Sequence, residues 1–158
     1  MKLVSEALRE KFGDIYFEVI FQDDLHRSSC LRRKSDNAVL SFHIVIFNKA
    51  GIETLGKIHE RIVAGELLGE VIKESGVSNE WKISERVRVK IPTSLINLFA
   101  TAQNYCSTEI IEYKVKGVEY AQVYEFYNPE FTAVVSKEDN SISARSSAAI
   151  AKLEKSTY

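Results

Sequence analysis

Glu125 stands in the run Ala121 to Pro129, AQVYEFYNP, among Val123, Tyr124, Phe126 and Tyr127. An apolar surrounding disfavours the charged form of a carboxyl group, so a carboxylate placed this way suits a general acid. The second chemical feature is the cationic segment Arg27, Arg32, Arg33 and Lys34, followed by a strand that carries Ser41 and His43. A strand face mixing arginine with apolar neighbours is either a solvated sheet surface or the floor of an anion-binding pocket. Other chemistry has less support. His26, His43 and His59 lie in no nucleophile-elbow context, and His59 falls on the polar side of its helix and reads as solvated. None of the seven glycines opens a phosphate-cradling loop. Cys30 and Cys106 have no ligand-like spacing, so free thiols are expected and a metal site is not. Arg86, Arg88 and Lys90 alternate along one strand and read as a solvated face.

The elements that must position these groups follow from hydrophobic period. Leu31 to Asn48 reads as a short cationic strand, a Ser35-Asp36-Asn37 turn and a long strand. With Asp36 and Asn37 as a two-residue loop, Arg32 faces Ser41, Cys30 faces His43, and Arg32, Ser41 and His43 share one face. Leu3 to Phe12 has helical spacing and Ile15 to Gln22 reads as a strand, whereas Gln22 to Ser29 reads as a polar connection. Ile52 to Val63 forms one helical stripe, Leu67 to Ile72 a second, and Pro92 to Ala102 a third. Lys82 to Ile91, Glu109 to Val115 and Val118 to Tyr127 read as strands, with Phe131 to Val135 as a further short one and Ser143 to Leu153 as a C-terminal helix. The register of the last hairpin decides the fate of Glu125. A two-residue Lys116-Gly117 turn puts it with Lys114 and Glu112 toward solvent, and a three-residue bulged loop puts it with Ile111 and Tyr113. Both registers remain open at this level.

Strands joined by short connections, with helices inserted between them, argue an α+β domain: a central antiparallel sheet with helices covering one face. At 158 residues, 45% hydrophobic and 27% charged, the chain fits a single domain over 1–158. A net charge of -1 supplies no field for steering nucleic acid. No apolar run is long enough to cross a bilayer, and the acids within MKLVSEALREKFGD exclude a signal peptide, so a cytoplasmic location is expected.

Three segments, in order, resemble the chorismate lyase-like superfamily, which holds chorismate pyruvate-lyases and the UTRA effector-binding domains of GntR-type regulators. The hairpin Leu31 to Asn48 resembles the family's arginine-bearing strand and turn. Ala64 to Gly76 is similar to its Gly-x-x-Leu-Gly helix start, with Leu68-Gly69 on the Leu-Gly pair, and Tyr124 to Pro129 resembles the last strand, with a Glu four residues before a Pro. The resemblance implies that Arg32, or in its place Arg27 or Arg33, holds a substrate carboxylate and that the Leu68 amide binds a second oxygen. It also implies that Glu125 supplies the acid. Ser41 and His43 would line the same pocket. The implied ligand is an aromatic or cyclohexadienyl carboxylate, and the implied reaction releases 4-hydroxybenzoate and pyruvate from chorismate without metal or organic cofactor. The family's arginines are missing before Trp81 and at Ile111, a departure that favours the alternative of a non-catalytic ligand-sensing or dimerising domain of the UTRA type. Homodimerisation is left open, and no direct contact with nucleic acid or membrane is expected.

Overall fold

A six-stranded antiparallel sheet forms the centre of the computed structural model, which describes residues 2–139. The strands are β1 (Ile15–Gln22), β2 (His26–Arg33), β3 (Val39–Phe47), β4 (Asn79–Lys90), β5 (Tyr105–Val115) and β6 (Val118–Tyr127). Their spatial order is β1-β2-β3-β6-β5-β4, so β3 and β6 meet at the centre and β1 and β4 form the edges. The helices are α1 (Val4–Phe12), α2 (Lys49–Leu55), α3 (Lys57–Val63), α4 (Leu68–Ser75) and α5 (Thr93–Phe99). The chain is therefore an α+β domain, as its pattern of strands and inserted helices predicts.

Apolar residues of opposite parity feed two cores. Val45, Ile111, Tyr113 and Val123 pack against Leu55, Ile62, Val71 and Ile72 of α2, α3 and α4. Phe42, Ile44, Tyr124 and Phe126 point the other way, where Leu95 and Phe99 of α5 join them. Phe42 and Phe126 are wholly buried, with ring centroids 6.2 Å apart. Each such side chain contributes about 1.5–3 kcal/mol by leaving water. Leu8 of α1 closes a third cluster over Ile15, Leu31 and Leu40.

Three local departures from the periodic reading matter. The stripe Ile52 to Val63 is two helices, because Gly56 takes φ 53 and ψ −115, a conformation open to glycine and costly for other residues. β2 begins at His26 rather than Leu31, so the polar residues Arg27, Ser28 and Ser29 belong to a buried strand. Phe131 to Val135 is not a strand; the Phe131 and Thr132 amides turn back onto the Asn128 carbonyl. The expected helix Ser143 to Leu153 lies outside the described residues.

Two β-bulges set which side chains share a face. The β2–β3 loop is four residues, Lys34 to Asn37, closed by the Arg33 amide on the Ala38 carbonyl at 2.9 Å, with Asn37 left-handed at φ 62. Arg32 pairs with Val39 but Leu31 pairs with Ser41, so Leu40 is the extra residue. The expected pairings Arg32–Ser41 and Cys30–His43 are thereby replaced by Leu31–Ser41 and Ser29–His43. Asn128 holds this bulge: its Nδ2 donates to the Val39 carbonyl at 2.7 Å and its amide to the Leu40 carbonyl at 3.0 Å. The β5–β6 turn is the two-residue Lys116-Gly117, with Val115 opposite Val118 and Lys114 opposite Glu119. Tyr113 then pairs with Ala121, so Tyr120 is bulged out and Glu125 falls on the face of Ile111 and Tyr113. The observed hairpin thus has the short turn of one expected register and the face of the other.

Candidate functional site

Between the sheet and the helices α1 and α4 lies a cavity of about 50 Å³ whose polar wall includes Arg27, Ser29, His43 and Glu125, with Leu68 above. An adjoining recess of about 230 Å³ shares Leu3, Gly69, Trp81 and Tyr113 with it. The inner space has room for a few water molecules or one carboxylate-sized group. Of these two spaces the recess is the one with room for a ring, and there Trp81 and Tyr113 stack with centroids 6.2 Å apart.

His43 and Glu125 are direct cross-strand partners on β3 and β6, and both are buried. His43 Nε2 lies 2.9 Å from Glu125 Oε2 and 2.7 Å from Ser41 Oγ, while Nδ1 lies 3.3 Å from Ser29 Oγ. Phe17 of β1 stacks on the imidazole at 6.5 Å. The approach to Glu125 is close but is not an aligned hydrogen bond, and among the described residues Oε2 has no directed donor. A buried carboxylate oxygen in that state is costly unless a ligand or water supplies one.

Arg27 of β2 is 2% exposed, and among the described residues no carboxylate lies within ion-pair distance of it. Its Nη1 donates to the Ile62 and Glu66 carbonyls at 2.8 and 2.9 Å. Ile62 belongs to the last turn of α3, so the partial negative charge of a helix C-terminus stands where a counter-ion would. The guanidinium also lies 5.1 Å over the Phe17 ring. Burial lowers its pKa to about 10, which leaves it cationic at neutral pH. Its Nε is buried with no acceptor among the described residues.

Arg32, the arginine expected to bind substrate, lies elsewhere. On the opposite face of β2 it makes a 3.3 Å charge contact with Glu18 and donates to the Asn37 carbonyl at 3.0 Å. Arg33 pairs with Asp36 and lies 4.9 Å over Phe131. Of the candidate residues, Arg27, His43, Leu68 and Glu125 line the cavity, and Ser41 reaches it through His43. Leu68 opens α4, whose N-cap Leu67 supplies no side-chain cap. The first-turn amides of α4 are thus open to an oxygen ligand.

Two groups carry more than the sequence reading gave them. His59, expected to be solvated, is buried: Nδ1 lies 2.7 Å from Tyr120 Oη and Phe47 packs edge-on at 5.0 Å. The break at Gly56 rotates α3 relative to a continuous helix and turns this residue inward. Burial, and secondarily the Arg27 charge, lowers the His59 pKa from its ordinary 6.5. The unfolded chain therefore binds a proton that the fold resists, and stability present above about pH 6.5 should fall as the pH drops below it. His59→Gln should flatten that part of the melting-temperature profile between pH 7 and 5. Glu109, the second group, is buried opposite Glu125 on β5, and Arg86 of β4 reaches its Oε2 from Nε at 3.2 Å and Nη2 at 2.9 Å. Cys30 and Cys106 are free and buried, with burial pushing their pKa values up to about 11 and about 12, so both are poor nucleophiles. No group of three metal-ligating side chains exists among the described residues. No helix among them is long and apolar enough to cross a membrane.

No family model matches the sequence, and no curated protein matches it. Solved structures match its fold. A possible transcriptional regulator, YydK, from Bacillus subtilis is 12% identical, with 88% of this chain and 68% of that chain covered and a TM-score of 0.58. The gene product SA0254 from Staphylococcus aureus is 11% identical over 80% of this chain and 90% of that one, with a TM-score of 0.55. The effector-binding domain of the B. subtilis trehalose repressor is 12% identical over 88% and 92%, at a TM-score of 0.47. At these identities the likeness is one of architecture.

Proposed function

We propose that the chain is a non-catalytic ligand-sensing domain whose pocket takes a small carboxylate. One observation carries this reading: a buried arginine with no counter-carboxylate among the described residues and a buried glutamate whose Oε2 lacks an aligned hydrogen bond line one cavity. Arg27 would attract the ligand's anionic group, and the open amides of α4 at Leu68 would take its second oxygen. Glu125 would accept from a hydroxyl or N–H of the ligand. The ring of an aromatic or cyclohexadienyl carboxylate would lie in the recess beside Trp81 and Tyr113. The architectural likeness to a possible transcriptional regulator supports sensing over turnover. In that role the domain would pass occupancy to a DNA-binding unit on its own or a partner chain, as a homodimer in the cytoplasm, with no nucleic-acid contact of its own.

The lyase reading is the competitor, with Glu125 as general acid on the enolpyruvyl ether oxygen. The inner cavity is too small for the whole of chorismate without rearrangement, which weighs against it. Calorimetry and thermal melting with 4-hydroxybenzoate, benzoate and chorismate separate the two. The expected result is a melting temperature that rises with ligand, by an amount equivalent to about 2.7 kcal/mol at a hundred times Kd, and no pyruvate by chromatography. Glu125→Gln should weaken binding of the hydroxylated ligand by about tenfold, the loss of one charge-assisted hydrogen bond, and spare benzoate. Pyruvate release would establish the lyase instead, and no binding of any carboxylate would remove the pocket.

A further inference from the structure

Five side chains form a line across the sheet, each on the strand next to the last: Ser29 pairs with His43, His43 with Glu125, Glu125 with Glu109, and Glu109 with Arg86. The line crosses β2, β3, β6, β5 and β4 on the pocket face. It begins in the buried wall of the cavity and ends at Arg86, whose side chain is 58% exposed on the edge strand. Two of its members are carboxylates directly opposite one another, and both are buried. Like charges in directly opposed positions repel, the more so where water is excluded. Their surroundings differ. Glu109 is gripped by two nitrogens of Arg86, whereas Glu125 Oε2 has His43 Nε2 beside it at 2.9 Å without an aligned hydrogen bond.

We propose that Arg86, though outside the cavity, is a positioning residue for it: by neutralising Glu109 it lets Glu125 stand beside a second carboxylate as a free acceptor. This rests on the reading of Glu125 as the pocket's acceptor. Without Arg86 the two carboxylates would face each other with one cation, His43 at most, to serve both, and the pair would take up a proton shared between them. A protonated Glu125 would donate where it now accepts, so an anionic partner that drew Arg86 off Glu109 would change what the pocket recognises. The edge of the sheet thereby becomes a control point for its centre. The other titratable groups around the pair are His43 from β3, Tyr127 from β6 and Tyr113 from β5; Arg27 from β2 and Glu70 from α4 line the same cavity.

The test needs no ligand. Thermal unfolding is followed at pH 5.5 and pH 8 for the wild type, Arg86→Gln, Arg86→Lys and the double variant Arg86→Gln, Glu109→Gln. In Arg86→Gln the folded pair holds a proton more tightly than the unfolded chain, so stability is retained at low pH and lost as pH rises through the folded value. The drop in melting temperature relative to wild type should be at least about twice as large at pH 8 as at pH 5.5. Arg86→Lys, which keeps the charge, and the double variant, which removes the repulsion, should each restore a pH-independent difference. Failure of Arg86→Gln to fold at pH 8 while folding at pH 5.5 is the same result in stronger form. An equal loss at both pH values, or no loss, makes Arg86 an ordinary surface ion pair and overturns the proposal, while the carboxylate titrations above remain the separate measure of the pocket.

Discussion

Arg27→Ala should lower stability by about 3–5 kcal/mol, the largest effect of any single truncation in the pocket. The side chain is fully buried, and its removal takes a charged donor from the Glu66 carbonyl and one of two donors from the Ile62 carbonyl, which keeps the Gly65 amide at 3.1 Å. Each lost charge-assisted hydrogen bond costs about 1.5–3 kcal/mol. The stem leaves a void, and Phe17 loses the cation over its face. Because both carbonyls lie where α3 runs into α4, hydrogen exchange should rise first over residues 62–70, including the amides proposed to hold the ligand. Arg27→Met keeps most of the stem and should recover part of the stability without any carboxylate binding. Chemical unfolding of the two variants beside their binding isotherms is the measurement. A loss below about 1 kcal/mol for Arg27→Ala would mean that the guanidinium holds neither carbonyl in solution.

Gly51→Ala should cost about 3 kcal/mol or more, although helix propensity alone predicts a gain of about 1 kcal/mol from the same change in α2. The reason is contact. A Cβ at Gly51 would stand 2.5 Å from the Glu119 carbonyl oxygen and against Tyr120 Cα, and backbone cannot swing aside as a side-chain tip can. The helix would have to lift off β6 at its bulge and carry Leu55 out of the core it shares with Phe47 and Val123. For a domain of this size the expected fall in melting temperature is roughly 6–12 °C. A rise would show that α2 does not seat this closely on the sheet.

Much of the architecture was legible because period and punctuation agree in most elements. Ile15 to Gln22 and Val118 to Tyr127 emerge with the expected bounds, and α1, α4 and α5 start within a residue or two of theirs. What was not legible came from residues whose burial depends on partners distant in sequence. Arg27, Ser28 and Ser29 look like a loop because polar residues seldom fill a buried strand; the Ile62 and Glu66 carbonyls that hold Arg27 are 35 and 39 positions away. Arg32 was favoured for the pocket by the family resemblance; a two-residue turn would also have set it opposite Ser41, and the Leu40 bulge moves that frame by one. For Glu125 the sequence left two candidate faces open, and the deciding bulge at Tyr120 has no local signature. Glu109 was invisible as a partner of Glu125 for the same reason.

The Tyr120 bulge makes the length of a hairpin, as much as its composition, the carrier of the pocket's chemistry. Side chains alternate strictly along β6 after the bulge, so everything beyond it is addressed by counting from Gly117. Deleting one residue from that interval would turn Val123, Glu125 and Tyr127 toward the α5 core and bring Tyr124 and Phe126 to the cavity floor, replacing its carboxylate with aromatic rings. Within a lineage, the loss or return of an acceptor here is therefore a matter of one codon inserted or removed, without any substitution at Glu125 itself.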